Sequence, residues 1–163
     1  KKLELKMDKI LALSRVERDG ILSLEGIDLV GFLENTSKDY AKDLSLKINT
    51  QKRFFFFFYE FSLKLIFKNL LENTRKHTNS DLVEINVKED GNQVTLSYND
   101  QGTFKGDKQK LGTLFYKHNS GRGTGIGLYL CKKLMKKMGG DLCFTFSPNL
   151  SFELNFMKAK DLV

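Results

Sequence analysis

Three short polar segments, in a fixed order between residues 69 and 128, carry side chains that could together bind a nucleotide. They are residues 69–77, Asn-Leu-Leu-Glu-Asn-Thr-Arg-Lys-His, residues 99–102, Asn-Asp-Gln-Gly, and residues 121–128, Gly-Arg-Gly-Thr-Gly-Ile-Gly-Leu. A carboxamide can ligate Mg²⁺, a buried acid can read adenine, and a glycine-rich loop can approach phosphates. Each segment alone is weak, but in combination they predict a Mg-ATP site.

The first segment closes a predicted amphipathic helix over residues 61–77. Asn69, Asn73, Lys76 and His77 follow at i, i+4, i+7 and i+8, so they share one stripe that borders the apolar face. A carboxamide oxygen there can hold Mg²⁺, which takes its other ligands from water and substrate phosphates. Lys76 can reach phosphate as a point charge, and His77 could stack on a base. Considered alone, the stripe is more simply an ordinary solvated helix face.

The second segment places Asp100 at the end of a predicted strand, just before Gly102. A carboxylate in that position can accept a hydrogen bond from an exocyclic amine and so separate adenine from guanine. Asn-Asp-x-Gly is also strong turn chemistry. In isolation, a plain turn is the better interpretation.

The third segment places Gly123, Gly125 and Gly127 directly before a predicted helix, with Arg122 adding charge. Helix N–H groups and the helix dipole would then face a phosphate. A flexible lid without a ligand is the alternative. The segment is not a dinucleotide fingerprint, because residues 117–122 read as loop, and it is not a P-loop, because no Lys-Ser/Thr pair follows its last glycine.

The elements that must position these segments follow from hydrophobic periodicity. Five consecutive Phe between residues 54 and 58 predict a strand buried on both faces, or an aggregation-prone segment if it is exposed. Helices on one side of a mixed sheet define an α+β fold, a two-layer α/β sandwich. We predict helices at 3–17, 28–40, 61–77 and 128–138, strands at 44–48, 53–59, 83–87, 93–98, 141–147 and 151–157, and a polar loop at 102–122 with a short helical piece around 111–116.

Length and composition restrict the classes of protein. A chain of 163 residues forms one domain, or one domain with a short appendage. Its net charge of +7 is scattered rather than striped, which suits polyanions in general. Cys131 and Cys143 are too few and too far apart for a disulfide framework or a zinc site, so we expect buried free thiols in a reducing compartment. The longest apolar run is too short to span a bilayer. We see no signal peptide, and the first residue is not Met, so we expect a piece of a longer protein.

In order and spacing, the three segments resemble the N box and the two glycine boxes of the histidine-kinase-type ATPase family, which shares its fold with gyrase B, Hsp90 and MutL. The similarity runs from about Ile27 to Met157 and implies a Bergerat-type ATP-binding fold. Residues 3–20 are similar to the close of the second dimerisation helix of sensor histidine kinases. The resemblance therefore divides the chain into residues 1–20, the end of that helix and a linker, and residues 21–163, the ATP-binding catalytic domain.

The resemblance also implies a role for individual residues. In the relatives, the residue matched by Asn73 holds Mg²⁺, the one matched by Lys76 contacts phosphate, the one matched by His77 packs near the base, and the acid matched by Asp100 binds the adenine amine. The implied nucleotide-binding set is Asn69, Asn73, Lys76, His77, Asp100, Gly102, Arg122, Gly123, Thr124, Gly125, Gly127 and Leu128, with Asn73 as the metal ligand.

One difference within the family indicates the reaction. Hydrolytic relatives carry a Glu base where this chain has Asn69, and an Asn cannot take a proton from water. Transfer to a protein histidine fits better, because phosphoryl transfer to a ready nucleophile needs mainly positioning and charge stabilisation. His77 and His118 are the only histidines, and neither lies in a segment resembling the phosphoacceptor helix. We therefore expect the acceptor upstream of Lys1.

The sequence thus predicts the ATP-binding catalytic domain of a sensor histidine kinase in a bacterial two-component phosphorelay. The implied cofactors are ATP and Mg²⁺. The implied partners are a response regulator and the protein's own dimerisation domain, as a homodimer in the full-length protein. We expect a cytoplasmic domain whose parent is anchored in the inner membrane, with no membrane contact of its own.

Two alternatives stay open. The first is a non-catalytic ATP-binding pseudokinase. Phe104 stands where the first glycine box usually has its second glycine, the lid between the boxes looks short, and Phe fits poorly if the backbone there needs a positive φ. The second and more remote is a basic nucleic-acid-binding domain. The chain has no basic stripe interleaved with aromatic residues, so we expect no nucleic-acid partner.

Overall fold

The computed structural model describes residues 2–19, 24–51, 53, 55–117, 125–146 and 149–158. The helices within these ranges are α1 (Lys2–Asp19), α2 (Leu29–Tyr40), α3 (Glu60–His77) and α4 (Gly127–Lys137). The strands are β1 (Glu25–Asp28), β2 (Ser45–Thr50), β3 (Phe55–Phe58), β4 (Leu82–Asp90), β5 (Gln93–Asn99), β6 (Asp141–Thr145) and β7 (Ser151–Met157).

The main sheet has five strands in the order β2-β4-β5-β7-β6. Strands β2 and β4 are parallel and the other neighbours are antiparallel, so the sheet is mixed. Burial alternates along β4, β5 and β7 because successive side chains point to opposite faces. The buried face and helices α2, α3 and α4 share one hydrophobic core. The prediction of an α+β sandwich with a mixed sheet and helices on one face is confirmed.

Helix α3 forms because its apolar side chains recur on one face. Leu63, Ile66, Phe67, Leu70 and Leu71 are all buried, at the spacing of a core-facing helix. Burying each such side chain contributes about 1.5–3 kcal/mol. This packing fixes the rotation of α3, so the polar stripe beside the apolar face must point along the edge of the core rather than freely into solvent.

The prediction that the Phe run is buried on both faces is wrong. Within the described part of the chain, strand β3 lies outside the main sheet and pairs with β1, a short strand that the sequence pattern did not predict. A two-stranded ribbon has one covered face here: Phe58 is 1% exposed, whereas Phe55 is 71% exposed and Phe57 is 44% exposed. The outer face of the run is therefore open, which is the arrangement that the sequence analysis associated with aggregation.

The short helix expected around residues 111–116 is also absent from the structure. Residues 108–115 form a series of turns instead. Gly112 has a φ of 81° and Phe115 has a φ of 62°, and neither value is compatible with a right-handed helix. The left-handed backbone conformation of these two residues interrupts the helix that the local apolar pattern alone predicts.

Helix α1 packs on α4 with a face other than its apolar stripe. Leu3, Met7, Ile10 and Leu11 are exposed, while Ala12 packs against the domain core. No helix in the described part of the chain is both long enough and apolar enough to cross a membrane.

The cysteines agree in part with the prediction of buried thiols. Both are free; Cys131 is buried and Cys143 is half-buried. Burial raises the pKa of the Cys131 thiol to about 12, so this thiol is protonated at neutral pH.

Candidate functional site

A cavity of about 270 Å³ lies where the polar stripe of α3, the segment after β5 and the start of α4 meet. It brings together residues from all three sequence segments, although these are up to about 60 positions apart along the chain. The predicted site residues that line it are Asn69, Asn73, Lys76, His77, Asp100, Gly102, Gly125, Gly127 and Leu128. The predicted residues Arg122, Gly123 and Thr124 lie outside the described residues.

Asp100 is a buried carboxylate held from two sides. Its Oδ2 accepts a hydrogen bond from Thr74 Oγ1 at 2.7 Å, and its Oδ1 accepts one from the Gly102 N–H at 2.9 Å. The Tyr98 hydroxyl lies 2.6 Å from Thr74 Oγ1. A threonine hydroxyl has one proton, and a carboxylate can only accept, so the proton chain runs from Tyr98 to Thr74 to Asp100. A 3.2 Å contact from Thr74 Oγ1 to the Leu70 carbonyl is the weaker competitor for that proton.

Burial above all, together with the neighbouring Asp100 charge, raises the pKa of Tyr98 and outweighs the opposing effect of its hydrogen bond to Thr74. The tyrosine therefore stays protonated and can act as the first donor of the chain. Asp100 is 4% exposed, yet it lines the cavity, so lone pairs not used by Thr74 and Gly102 can accept a hydrogen bond from a bound molecule. Thr74 and Tyr98 carry no motif signal in the sequence, because both lie on apolar periodic faces.

Gly102 is required by its surroundings. A Cβ at this position would lie 2.7 Å from Thr78 Cγ2 and 2.9 Å from Asp100 Oδ1, closer than side chains approach. The Gly102 carbonyl also accepts a hydrogen bond from the Leu150 N–H at 3.0 Å. The turn after Asp100 is therefore fixed between α3 and the entry to β7, and it keeps the carboxylate in place.

Asn69, which also lines the cavity, carries an unsatisfied acceptor. The residue is 6% exposed, and its Nδ2 donates to the Leu65 carbonyl at 2.9 Å. Its Oδ1 is buried without a hydrogen-bond partner among the described residues, and a Cβ on Gly127 would lie 3.0 Å from it. A buried acceptor left unpaired costs about 1–3 kcal/mol. A cation or a donor supplied by a ligand would remove that cost.

Lys76 adds positive charge to the cavity wall. It is half-buried, and its pKa is lowered, mainly by burial and secondarily by the nearby Lys9, while Glu72 opposes the shift. His77, one residue further, is exposed at the rim of the cavity.

Gly125, in the glycine-rich segment, contacts Phe115 in the loop that follows β5. Its φ is 71°, and its carbonyl accepts a hydrogen bond from the Phe115 N–H at 2.8 Å. A Cβ on Gly125 would lie 2.6 Å from the Phe115 carbonyl carbon, which is backbone and cannot move aside. Helix α4 begins two residues later, at Gly127. Glycine is thus required at position 125 both by the backbone angle and by the close approach.

We expect Gly125→Ala to weaken nucleotide binding beyond its effect on stability. The matched control is Gly139→Ala, which has a φ of 77° but nothing within 4 Å of the added methyl. Both changes force Ala into the left-handed region at a cost of about 1–2 kcal/mol. Only Gly125→Ala also displaces Phe115, so only it should reduce ATP affinity, as measured by calorimetry beside urea unfolding. Equal ATP affinity in the two variants would contradict this role.

Phe104 does not have the backbone strain that the sequence analysis considered. Among described non-glycine residues, φ is positive only at Gln101 and Phe115. The Phe104 ring lies on the cavity wall and packs on Phe146, with 6.2 Å between ring centroids. Phe replaces the usual glycine here without a conformational penalty, so the strain argument for the pseudokinase alternative does not hold.

Several residues of the cavity wall carry no motif signal. Four lysines line the cavity. One of them, Lys9, lies on α1, about 60 positions before the nearest predicted site residue in the sequence. Only the basic composition of the chain hinted at such a concentration of charge. The wall residues that the sequence analysis did not single out are Lys9, Glu72, Thr78, Thr103, Lys105, Leu111, Gly112, Thr113, Tyr116, Lys117, Leu150 and Phe152.

Comparison with known proteins gives similarities over the segment that supplies most of the cavity wall. The family described as histidine kinase-, DNA gyrase B-, and HSP90-like ATPase matches residues 59–159. The sensor histidine kinase RcsC of Escherichia coli strain K12 is 30% identical over 95 residues, which cover 54% of this chain and 10% of RcsC. The sensor protein EvgS of Escherichia coli O157:H7 is 31% identical over 99 residues, covering 55% of this chain and 8% of EvgS. The chain thus spans about a tenth of the length of these relatives.

Solved structures share the fold. Histidine kinase AdeS of Acinetobacter baumannii superposes with a TM-score of 0.79 at 15% identity, over 94% of this chain and 77% of AdeS. Full-length ShkA in complex with AMPPNP gives 0.73 at 20% identity, over 99% of this chain and 37% of ShkA. The catalytic domain of histidine kinase ThkA superposes with a TM-score of 0.73 at 18% identity, over 84% of this chain and 97% of the ThkA chain. On the family match over residues 59–159, this chain belongs to the histidine kinase-, DNA gyrase B- and HSP90-like ATPase family.

Proposed function

We propose that this chain is the ATP-binding catalytic domain of a two-component sensor histidine kinase. In this proposal it transfers the γ-phosphoryl group of ATP to a histidine on an upstream dimerisation domain. The observation that carries the proposal is one cavity lined by two chemically different groups of residues. One is a buried acid held by two hydrogen bonds, and the other comprises carboxamides, lysines and the N-terminus of α4.

The buried acid suits adenine. Asp100 is oriented by Thr74 and Gly102, so its carboxylate needs no rearrangement before it accepts a hydrogen bond from the adenine amine. Guanine presents a carbonyl oxygen in place of that amine and would face the carboxylate with a second acceptor. Buried polar groups left unpaired in this way are costly, so we propose that Asp100 selects ATP over GTP.

The carboxamides, the lysines and the N-terminus of α4 suit Mg²⁺ and phosphates. The unpaired Oδ1 of Asn69 and the carboxamide of Asn73 are the kind of neutral oxygen donors that Mg²⁺ accepts beside phosphate oxygens. In the described residues, no group of three or more His, Cys, Asp or Glu could hold a metal ion, so the anionic ligands would come from the nucleotide. We propose Asn73 as the direct ligand, with Lys76 and the N-terminus of α4 binding phosphate. When bound, Mg²⁺ supplies charge neutralisation and orients the phosphates.

The position at which hydrolytic relatives carry their base holds Asn69 here, and an Asn cannot accept a proton from water. The nearest carboxylate on α3, Glu72, is engaged in an ion pair with Lys9 at 3.2 Å. The residues can position and stabilise a phosphoryl group but do not activate water, which favours transfer to a histidine nucleophile.

The wider assembly is part of the proposal. We propose that residues 1–20 close a dimerisation helix and that residues 21–163 form the catalytic domain of a homodimeric parent. The phosphohistidine would pass its phosphoryl group to an Asp of a response regulator. We further propose that the domain works in the cytoplasm, where ATP is available, and that its parent is anchored in the inner membrane. Resemblance to sensor histidine kinases over 95–99 residues supports this assembly.

Asn73→Ala should remove the Mg²⁺ dependence of ATP binding, because it deletes the proposed metal ligand. The test is calorimetric titration with ATP in the presence of Mg²⁺ and in the presence of a chelator. Asn69→Ala should act more mildly, and Asn35→Ala, an exposed carboxamide on α2, is the matched control and should change nothing. If Mg²⁺ strengthened ATP binding equally in the wild type and in Asn73→Ala, the metal role of Asn73 would be wrong.

A further inference from the structure

Helix α1 contributes a side chain to the cavity, although it lies outside the segment that matches the ATPase family. The Lys9 side chain is only 14% exposed, and Lys9 lines the same cavity as Asn73 and Lys76. Its Nζ forms an ion pair with Glu72 Oε2 at 3.2 Å, and the Glu72 side chain is 22% exposed. This cation is therefore enclosed between α1 and α3 rather than extended into solvent as a surface lysine usually is.

The ammonium group lies close to Gly127. A Cβ on Gly127 would lie 3.5 Å from Lys9 Nζ and 3.0 Å from Asn69 Oδ1. The ammonium group and the unpaired carboxamide oxygen thus both lie near one point at the start of α4. Helix N–H groups at that end add further positive potential. Three features converge there. The ammonium group and the helix N–H groups favour an anion, and the carboxamide oxygen favours the counter-cation of that anion.

Charge balance points to an anionic ligand. An ammonium group has three donors, and a single carboxylate does not satisfy them. The pKa of Lys76 is lowered by burial and also by Lys9, so the two cations repel each other across the cavity. Glu72 is one negative charge set against Lys9 and Lys76 together. A polyphosphate would offset the remaining positive charge and satisfy the free donors.

We propose that Lys9 is a phosphate-binding residue of the nucleotide site, supplied by α1. The proposal rests on the proposed function and extends it, because it names a ligand that the three motif segments do not contain. It also makes nucleotide binding sensitive to where α1 lies: bound phosphate would hold α1 against α3 and α4, and displacement of α1 would remove one phosphate contact.

The test compares Lys9→Met with Arg15→Met. Both remove one positive charge from α1, but Arg15 is exposed and does not line the cavity. Calorimetry with Mg-ATP, Mg-ADP and adenosine at moderate salt separates phosphate binding from base binding. We expect Lys9→Met to weaken ATP and ADP roughly five- to twentyfold, since one charge-assisted contact is lost at a partly exposed site. Adenosine affinity should stay unchanged, and Lys9→Arg should restore most of the ATP affinity.

Two results would overturn the proposal. Lys9→Met could change ATP affinity no more than Arg15→Met, or it could weaken adenosine by the same factor as ATP, which would indicate a general disturbance of the fold. Either result is distinguishable from failure of the proposed function itself. If the proposed function is wrong, the wild-type chain will bind neither ATP nor adenosine, so the Lys9 variants will show no change in affinity.

Discussion

Asp100→Asn is expected to weaken ATP binding by about tenfold to more than a hundredfold. The substitution removes a charge-assisted hydrogen bond to the adenine amine, worth about 1.5–3 kcal/mol. The fold should persist because the network around position 100 can rearrange. The new amide can donate to Thr74 Oγ1, and the threonine proton can then turn to the Leu70 carbonyl, which already lies 3.2 Å away.

Calorimetric titration with ATP, GTP and adenosine measures this effect, and urea unfolding checks the fold. Asp81→Asn is the matched control, since Asp81 is an exposed acid beside β4 and away from the cavity. It should leave all three affinities unchanged. Equal affinity of the wild type for ATP and GTP would contradict the role of Asp100 in binding the adenine amine. An Asp100→Asn variant that binds ATP as tightly as the wild type would also contradict it.

Periodic segments of the fold were predictable because their burial is local information. The apolar positions of α3 and the inward positions of α4, Leu130, Cys131, Leu134 and Met135, are buried as their spacing predicts. Strand β1 was not predictable, since four residues that include Gly26 carry too little pattern. The exposure of Phe55 could not be read from the sequence either. It depends on β3 pairing with β1 instead of joining the main sheet, and strand pairing is a long-range property.

The candidate site divides in the same way. Asn69, Asn73, Lys76 and Asp100 lie in short motifs, so their presence around one cavity followed from the order and spacing of those motifs, while their roles in binding stay predictions. Residues that act through tertiary contacts had no such signal. Thr74 looks like one more member of an apolar face until Tyr98 and Asp100 are brought within hydrogen-bonding distance. Lys9 is an ordinary helix lysine until α1 packs beside α4.

The second large effect concerns transfer. We expect this chain alone to bind Mg-ATP but neither to hydrolyse it at an appreciable rate nor to phosphorylate itself. Asn69 stands where hydrolytic relatives place their base, and neither of the two histidines, His77 and His118, resembles a phosphoacceptor. Adding the upstream helical segment of the parent protein, joined to the chain or as a separate polypeptide, should produce acid-labile phosphohistidine on that segment.

Radiolabelled ATP followed by acid and base treatment of the separated polypeptides distinguishes the outcomes. Replacing the acceptor histidine of the upstream segment by Gln should abolish the label, and Asp100→Asn should reduce it in proportion to its loss of ATP affinity. Acid-labile label on the chain itself would contradict an acceptor in the upstream segment and would point to His77 or His118. Tight ATP binding without any transfer would favour the pseudokinase alternative. The backbone at Phe104 is unstrained. The absence of transfer would then have to be caused by the loop between the two glycine boxes, which contacts Gly125 through Phe115.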